Sequence, residues 1–138
     1  MINRNEYNRR NIEEFRRRGG QVGGNFEGRP LILLTTAGAK SGRPHTTPVM
    51  YRKDGDRIAV FASKGGAPTS PDWYHNLVAN PTVTVELGTD TFEAKASVAK
   101  GKERDDLYAL QSQEFPQFGE YQQKTTRKIP VVILERIT

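Results

Sequence analysis

The sequence predicts a mainly β, α+β domain: a small closed barrel of about six antiparallel strands, with short peripheral helices and a helix at its N-terminus. Three observations lead there. Six short runs carry alternating or continuous apolar and β-branched residues. The turns between them are short and rich in Gly, Asp and Pro. Helical spacing interrupts the strands only briefly. Closure removes the unpaired edges that six short strands would otherwise expose. At 138 residues the chain fits one domain with its own core. Neither an internal repeat nor a low-complexity segment is present.

Taken in order, residues 5–18 read as a charge-dominated helix with Arg9, Arg10, Arg16, Arg17 and Arg18, and a thin apolar stripe of Tyr7, Ile12 and Phe15. Gly19, Gly20, Gly23 and Gly24 stop it and supply a flexible hinge. Residues 1–24 are therefore expected to form a basic arm and 25–138 the barrel domain. A solvated arm, a flap over a site and a membrane-surface helix all suit this composition. Residues 31–36 form a nearly continuous apolar run, the pattern of a strand buried on both faces. Residues 46–52 and 57–63 are two more strands, joined at the Asp54-Gly55 hairpin signal. Residues 82–87 place Val83, Val85 and Leu87 inward against Thr82, Thr84 and Glu86. Residues 91–98 alternate again, and 130–137 close the set. Residues 72–79 read as a short helix between Pro71 and Asn80-Pro81. Residues 102–113 carry Leu107 and Leu110 at helical spacing, followed by an aromatic stretch over 115–121.

Composition narrows the chemistry. The chain has no cysteine, which excludes disulfides, thiolate nucleophiles, thiolate zinc sites and iron–sulfur clusters together. His45 and His75 are its only histidines and neither lies in a ligand-spaced cluster, so no metal is expected. No apolar run approaches the ~20 residues that span a bilayer, and a signal-peptide core is missing, so a cytoplasmic protein is expected. The formal charge of +5 points to an anionic partner. Nucleic acid, an anionic membrane and a phosphorylated polycarboxylate remain open on composition alone.

Three segments carry candidate chemistry. Thr35-Thr36-Ala37-Gly38-Ala39-Lys40-Ser41-Gly42-Arg43-Pro44 leaves a buried strand through a glycine-bearing turn with two cations, suited to a phosphate or carboxylate or simply to a solvated hairpin. It lacks the spacing and following helix of a P-loop. Ala62-Ser63-Lys64-Gly65-Gly66 follows a strand and brings permissive backbone near a ligand. Downstream, Trp73 opens a short helix, where a core plug and a cofactor contact both fit. Phe115, Phe118 and Tyr121 stand at three-residue spacing, a stripe that packs a core or walls an apolar pocket. No nucleophile, base and orienting group are arranged for hydrolysis, and Asp105-Asp106 read as solvated. A bound cofactor would then carry the chemistry.

Together, Leu33-Leu34 with the turn segment above, Pro48-Val49-Met50-Tyr51, Ala62-Ser63-Lys64-Gly65-Gly66-Ala67, Trp73-Tyr74-His75-Asn76-Leu77-Val78-Ala79-Asn80-Pro81 and Arg127-Lys128-Ile129-Pro130-Val131-Val132 resemble the deazaflavin-dependent nitroreductase family of actinobacteria. The similarity runs in order over roughly residues 25 to 137. It implies a split β-barrel that binds coenzyme F420, an 8-hydroxy-5-deazaflavin with a phospholactyl, polyglutamate tail. The resemblance assigns the anionic tail to Lys40, Ser41, Gly42 and Arg43, and counts His45 among the coenzyme-binding positions. Pro48 and Met50 would line the ring pocket, with Ala62, Ser63 and Lys64 on the deazaflavin or its ribityl chain and Trp73 beside them. Phe115, Phe118 and Tyr121 would shape the acceptor side.

The implied reaction is hydride transfer from the reduced deazaflavin to an electron-poor small molecule such as a quinone, an enone or a nitro compound. Ser63 and Tyr121 are the candidates to polarise that acceptor or relay a proton. Two departures from the family stand out. Ala39 and His45 occupy positions where some members carry arginine, which leaves part of the tail contact to Arg43, and Phe115 and Phe118 stand where the best-known members have tyrosine. Tyr121 is then the one hydroxyl left on the acceptor wall, which weighs against bulky nitroaromatic acceptors. The basic N-terminal helix would bring such an enzyme to the inner face of the plasma membrane. An FMN- or haem-binding barrel and a non-catalytic basic module are the alternatives. Nucleic acid is not expected, because the aromatics gather away from the basic turn rather than between its cations.

Overall fold

The computed structural model describes residues 4–26 and 28–138. Six strands, β1 (Leu31–Ala37), β2 (Pro44–Asp54), β3 (Arg57–Phe61), β4 (Thr82–Leu87), β5 (Asp90–Val98) and β6 (Val131–Arg136), close a barrel in the order β1-β2-β3-β6-β5-β4. Each neighbouring pair is antiparallel, including the β1–β4 pair that seals it. Four helices accompany them: α1 (Arg4–Arg17), α2 (Asp72–Ala79), α3 (Gly101–Glu114) and α4 (Gln117–Gln123). None of the described helices is long and apolar enough to cross a membrane.

The strand patterns follow from what covers each face. Ile32, Leu34, Val60, Val83, Val85, Val132 and Leu134 point into one core, which Trp73 and Leu77 of α2 complete. The opposite face of β1 meets α1: Leu31 and Leu33 pack on Phe15 and Val22. The opposite faces of β3 and β6 meet α3 and α4, with Ala59, Phe61, Val131 and Ile133 on Leu107, Tyr108 and Phe118. These three strands are covered twice, and their sequences are accordingly continuous apolar runs. By contrast β5 alternates Phe92, Ala94 and Ala96 against exposed Thr91, Glu93 and Lys95, since only one face is covered. The β2–β3 hairpin pairs Asp54 with Arg57 across Gly55, whose φ of +61° suits a two-residue turn.

Several boundaries move from the expected ones. β2 begins at Pro44 rather than 46, because Pro44 still pairs with Ala37. β3 ends at Phe61 rather than 63, and β6 starts at Val131 because Pro130 has no N–H for the ladder. On α3 the buried residues are Arg104, Leu107, Tyr108 and Gln111, while Leu110 is 48 % exposed and belongs to no core.

Of the readings open for the N-terminal arm, a helix packed on the barrel beside a cleft is the one observed. Residues 1–3 of the arm lie outside the described residues, but α1 is docked on the barrel: Phe15 is 1 % exposed. Arg16 makes a bidentate pair with Glu86, both contacts at 2.9 Å. Burying a Phe is worth about 1.5–3 kcal/mol, an exposed ion pair about 0–1 kcal/mol, so packing dominates the docking. The expected hinge is also packed. A side chain at Gly20 would place its Cβ 2.8 Å from Gly88 Cα in the β4–β5 turn, at a φ of +108°. Only glycine allows that crossing.

Candidate functional site

One cleft of about 1060 Å³ runs along β2 and collects residues from five distant segments. Its floor comes from Thr46, Thr47, Pro48, Val49 and Met50. Around that floor stand the β1–β2 turn, the loop after β3, the start of α2, one face of α4, and α1 with Phe26 and Arg29.

The β1–β2 turn is held in shape by its own hydrogen bonds and by one from α2. Gly38 N–H donates to Arg43 O at 2.8 Å and Gly42 N–H to Gly38 O at 2.9 Å. Arg43 N–H donates to Ser41 Oγ at 3.1 Å. The Ala39 amide is held from α2, donating to Asn76 Oδ1 at 3.0 Å, while Asn76 Nδ2 donates to Thr36 Oγ1 at 3.1 Å. Among the described residues, the amides of Lys40 and Ser41 have no protein partner. Two such amides on a turn that also carries Lys40 suit a phosphate or carboxylate. The charged lining of the whole cleft agrees: Arg9, Arg29, Lys40 and Lys64 face a single carboxylate, Asp72. Of these cations only Arg9 has an ion pair among the described residues, a loose one to Glu6 at 3.9 Å.

The loop after β3 presents Ser63, 8 % exposed, and Lys64, which carries a φ of +48°. Gly66 follows at +83°, and a Cβ there would lie 2.7 Å from Tyr121 O. α4 thus rests directly on this turn. The wall it forms is aromatic: Phe118 meets Phe61 at 5.6 Å and Tyr121 at 5.3 Å between ring centroids, both edge-on. Behind it Tyr108 donates its hydroxyl to Phe118 O at 2.6 Å. Burial pushes the Tyr108 phenol up to about 12, outweighing the opposing pull of the Arg104 and Arg127 guanidiniums. Ser63 Oγ and the Tyr121 hydroxyl have no protein partner among the described residues.

The structure brings Lys40, Ser41, His45, Pro48, Met50, Ser63, Lys64, Trp73, Phe118 and Tyr121 to this one cleft. Gly42, Arg43, Ala62 and Phe115 do not line it. Gly42 and Arg43 sit on the outer half of the turn, exposed. Ala62 is fully buried in the barrel core. Phe115 caps α3 and packs behind the wall. Trp73 is both plug and lining, 7 % exposed in the core and still at the cleft. Basic turn and aromatic wall, separate in sequence, border the same space. Sequence reasoning missed Asn8, Ile12, Phe26 and Arg29 as lining, and Asn76 as the turn's anchor. The apolar stripe of α1 was the available signal, although a stripe does not say what it faces.

The closed six-stranded barrel, with a basic turn and an aromatic wall bordering one groove, has the architecture of the split barrels. The chain matches the F420H(2)-dependent quinone reductase family over residues 7–136 and belongs to it. It is 40 % identical over 128 residues to the F420H(2)-dependent quinone reductase Rv1261c of Mycobacterium tuberculosis, covering 88 % of this chain and 85 % of that one. Among solved structures it resembles an F420-H2 dependent reductase, FDR-A, at 44 % identity and a TM-score of 0.71, covering 78 % of this chain and 95 % of that one. A second, a domain-swapped dimer, is 38 % identical with a TM-score of 0.73, covering 96 % and 100 %. The haem storage protein HutZ of Vibrio cholerae, at 19 % identity and a TM-score of 0.62, covers 92 % and 88 % and shares the fold alone. The family is one of oxidoreductases that use coenzyme F420. The residues fit that coenzyme: four cations, with two amides unpartnered among the described residues, would suit its polyanionic tail, and Pro48, Met50 and Trp73 would offer apolar surface to its ring.

Proposed function

We propose that the cleft binds reduced coenzyme F420 with its anionic tail on the Lys40 and Ser41 turn, and that the acceptor reduced against the aromatic wall is a quinone. An enone or a nitro compound is the alternative acceptor. One observation carries the reading: a single cleft is lined both by the basic turn and by Phe61, Phe118 and Tyr121. Its volume, about 1060 Å³, lies just above the usual range of small-molecule sites, about 300–1,000 Å³, and leaves room for a coenzyme beside an acceptor. The coenzyme supplies the hydride when bound. The protein's own residues place and shield it. Lys40, its neighbouring amides, Arg29 and Lys64 hold the negative charges. Pro48, Met50 and Trp73 offer apolar surface to the ring. Phe61 and Phe118 exclude water from the acceptor side, which keeps the reacting groups oriented and dry. The unpartnered Ser63 Oγ and Tyr121 hydroxyls are the donors nearest in kind to an acceptor oxygen.

The deciding experiment is a fluorescence titration of the protein with oxidised F420, matched by one with FMN. Saturable micromolar or tighter F420 binding, with FMN weak, supports the reading. Tight FMN binding with no F420 binding overturns it. Turnover with a water-soluble naphthoquinone then tests the wall. A hydroxyl that donates to the acceptor contributes about 10²-fold or more, so Tyr121→Phe and Ser63→Ala are each compared with the parent. Unchanged kcat removes that residue from the mechanism.

A peripheral membrane role for α1 rests on its exposed arginine face. Most of that charge is met locally: Arg9 and Arg10 lie on Glu6, Arg16 on Glu86 and Arg18 on Glu14. Cosedimentation with anionic vesicles, comparing the parent with Arg10→Glu/Arg17→Glu, decides it. Equal, weak sedimentation of both would leave the enzyme without a membrane contact at this helix.

A further inference from the structure

Residues 62–70 leave β3 without joining another strand, and Ser63 and Lys64 reach the cleft from that stretch. Its backbone is costly to hold. Lys64, Gly65 and Gly66 have φ of +48°, +63° and +83° in succession, and Lys64 is the one non-glycine residue with positive φ among those described. An L side chain stays in that region only where its surroundings hold it there. The Gly66 contact with α4 is one such support.

Arg127, on the segment leading into β6, is the other. Its Nε donates to Ala67 O at 2.9 Å and its Nη2 to Ser63 O at 2.8 Å. Nη1 donates to Ala62 O and to Ser70 Oγ, each at 3.2 Å. Arg127 has no ion pair among the described residues, and burial lowers its pKa. Carbonyl dipoles and one hydroxyl meet its charge. A planar guanidinium whose whole fork falls on one loop, 57–65 residues away in sequence, fixes a backbone shape rather than pairing a charge. Arg127 does not line the cleft.

We infer that Arg127 is a positioning residue for the coenzyme: by gripping Ala62, Ser63, Ala67 and Ser70 it holds the 62–70 loop in the shape that presents Ser63 and Lys64 to the ligand. The inference rests on the F420 reading of the cleft. Lysine cannot replace the grip, because its donors radiate from one point and cannot span four acceptors.

The test compares the parent with R127K and R127M by three readouts. Hydrogen exchange is followed at the amides of residues 62–70 and of the strands. Oxidised F420 is titrated by fluorescence. The third readout is kcat with a naphthoquinone at saturating F420H2. In R127K the loop amides exchange faster while β1 and β6 keep their protection, and Kd for F420 rises about tenfold or more, the worth of a lost charge-assisted bond. Bound coenzyme reorders the loop, so kcat at saturation changes by less than about threefold. A merely structural arginine would lower the melting temperature and the folded fraction while leaving Kd of the folded protein unchanged. That result overturns the inference, as does a wild-type Kd in R127K. Where R127M does not fold, R127K carries the comparison. Failure of the parent itself to bind F420 overturns both the cleft reading and this role. Unchanged loop exchange in R127K overturns the grip alone, whatever the titration shows.

Discussion

With its Oδ1 on the Ala39 amide and its Nδ2 on Thr36 Oγ1, Asn76 ties the β1–β2 turn to α2 through one buried side chain. Thr36 is 2 % exposed, so its hydroxyl has no water to fall back on once that donor is removed. Asn76→Ala is expected to lower unfolding stability by about 1–3 kcal/mol, the cost of leaving a buried polar group unpaired. Urea denaturation of the variant beside the parent measures it. F420 affinity should fall with it, because the turn loses its anchor. At this scale the sequence was partly legible. Lys40, Ser41, Ser63 and Tyr121 are polar residues beside glycine turns or an aromatic stripe, and they do reach the cleft. Ala62 was not separable from Ser63, because successive side chains at a strand end face opposite ways and only Ser63 lines the cleft. Phe115 and Phe118 look like one stripe, yet α4 begins only at Gln117, so the helical spacing between them is broken at Pro116. Asn76 acts on a residue 37 positions away, which no local pattern encodes.

Elements meet in this fold at a few positions where one side chain decides the fit. Gly66 is such a position for α4: both its φ of +83° and the 2.7 Å approach to Tyr121 O forbid a Cβ. Gly66→Ala is expected to destabilise by about 2 kcal/mol or more, combining left-handed strain with a backbone clash. A lowered melting temperature with weaker acceptor binding checks it, whereas a neutral result would mean that α4 shifts freely. Phe15 does the same for α1. Phe15→Ala removes the knob that meets Val22, Leu31 and Leu33 and is expected to cost about 3–5 kcal/mol. A loss below about 1 kcal/mol in urea unfolding would show α1 to be a loose arm after all. The strands and helices themselves were legible almost throughout, because their signals are local: alternation, Asp-Gly turns and proline stops. Docking of α1 was not, since a sparse stripe of Tyr7, Ile12 and Phe15 reads equally as a solvated arm. The partner surface, the outer face of β1, becomes visible only when the barrel closes.

For the whole molecule, the barrel and its outer helices share apolar faces, so the domain is expected to unfold as one cooperative unit. A titration in the layer between α3, α4 and the barrel should then register in global stability. Tyr108 lies in that layer, 5 % exposed, under the Arg104 guanidinium, which sits 4.5 Å from its ring centroid. Its phenol is pushed up to about 12 from an ordinary 10 by burial, meaning that the fold favours the neutral form. Below pH 10 the phenol is protonated in folded and unfolded chains alike and contributes no pH dependence. Between about pH 10 and 12 the unfolded chain gives up that proton while the folded one keeps it, so stability falls as pH rises. Tyr108→Phe cannot titrate. At neutral pH it should be less stable by about 1 kcal/mol, for the lost hydrogen bond to Phe118 O. Other groups titrate at alkaline pH too, but they are common to both proteins and cancel in the difference. Paired urea denaturations from pH 8 to 12 should therefore show the gap between parent and variant narrowing above pH 10. A gap constant across that range would mean that water reaches the phenol, and that the seal behind the aromatic wall opens in solution.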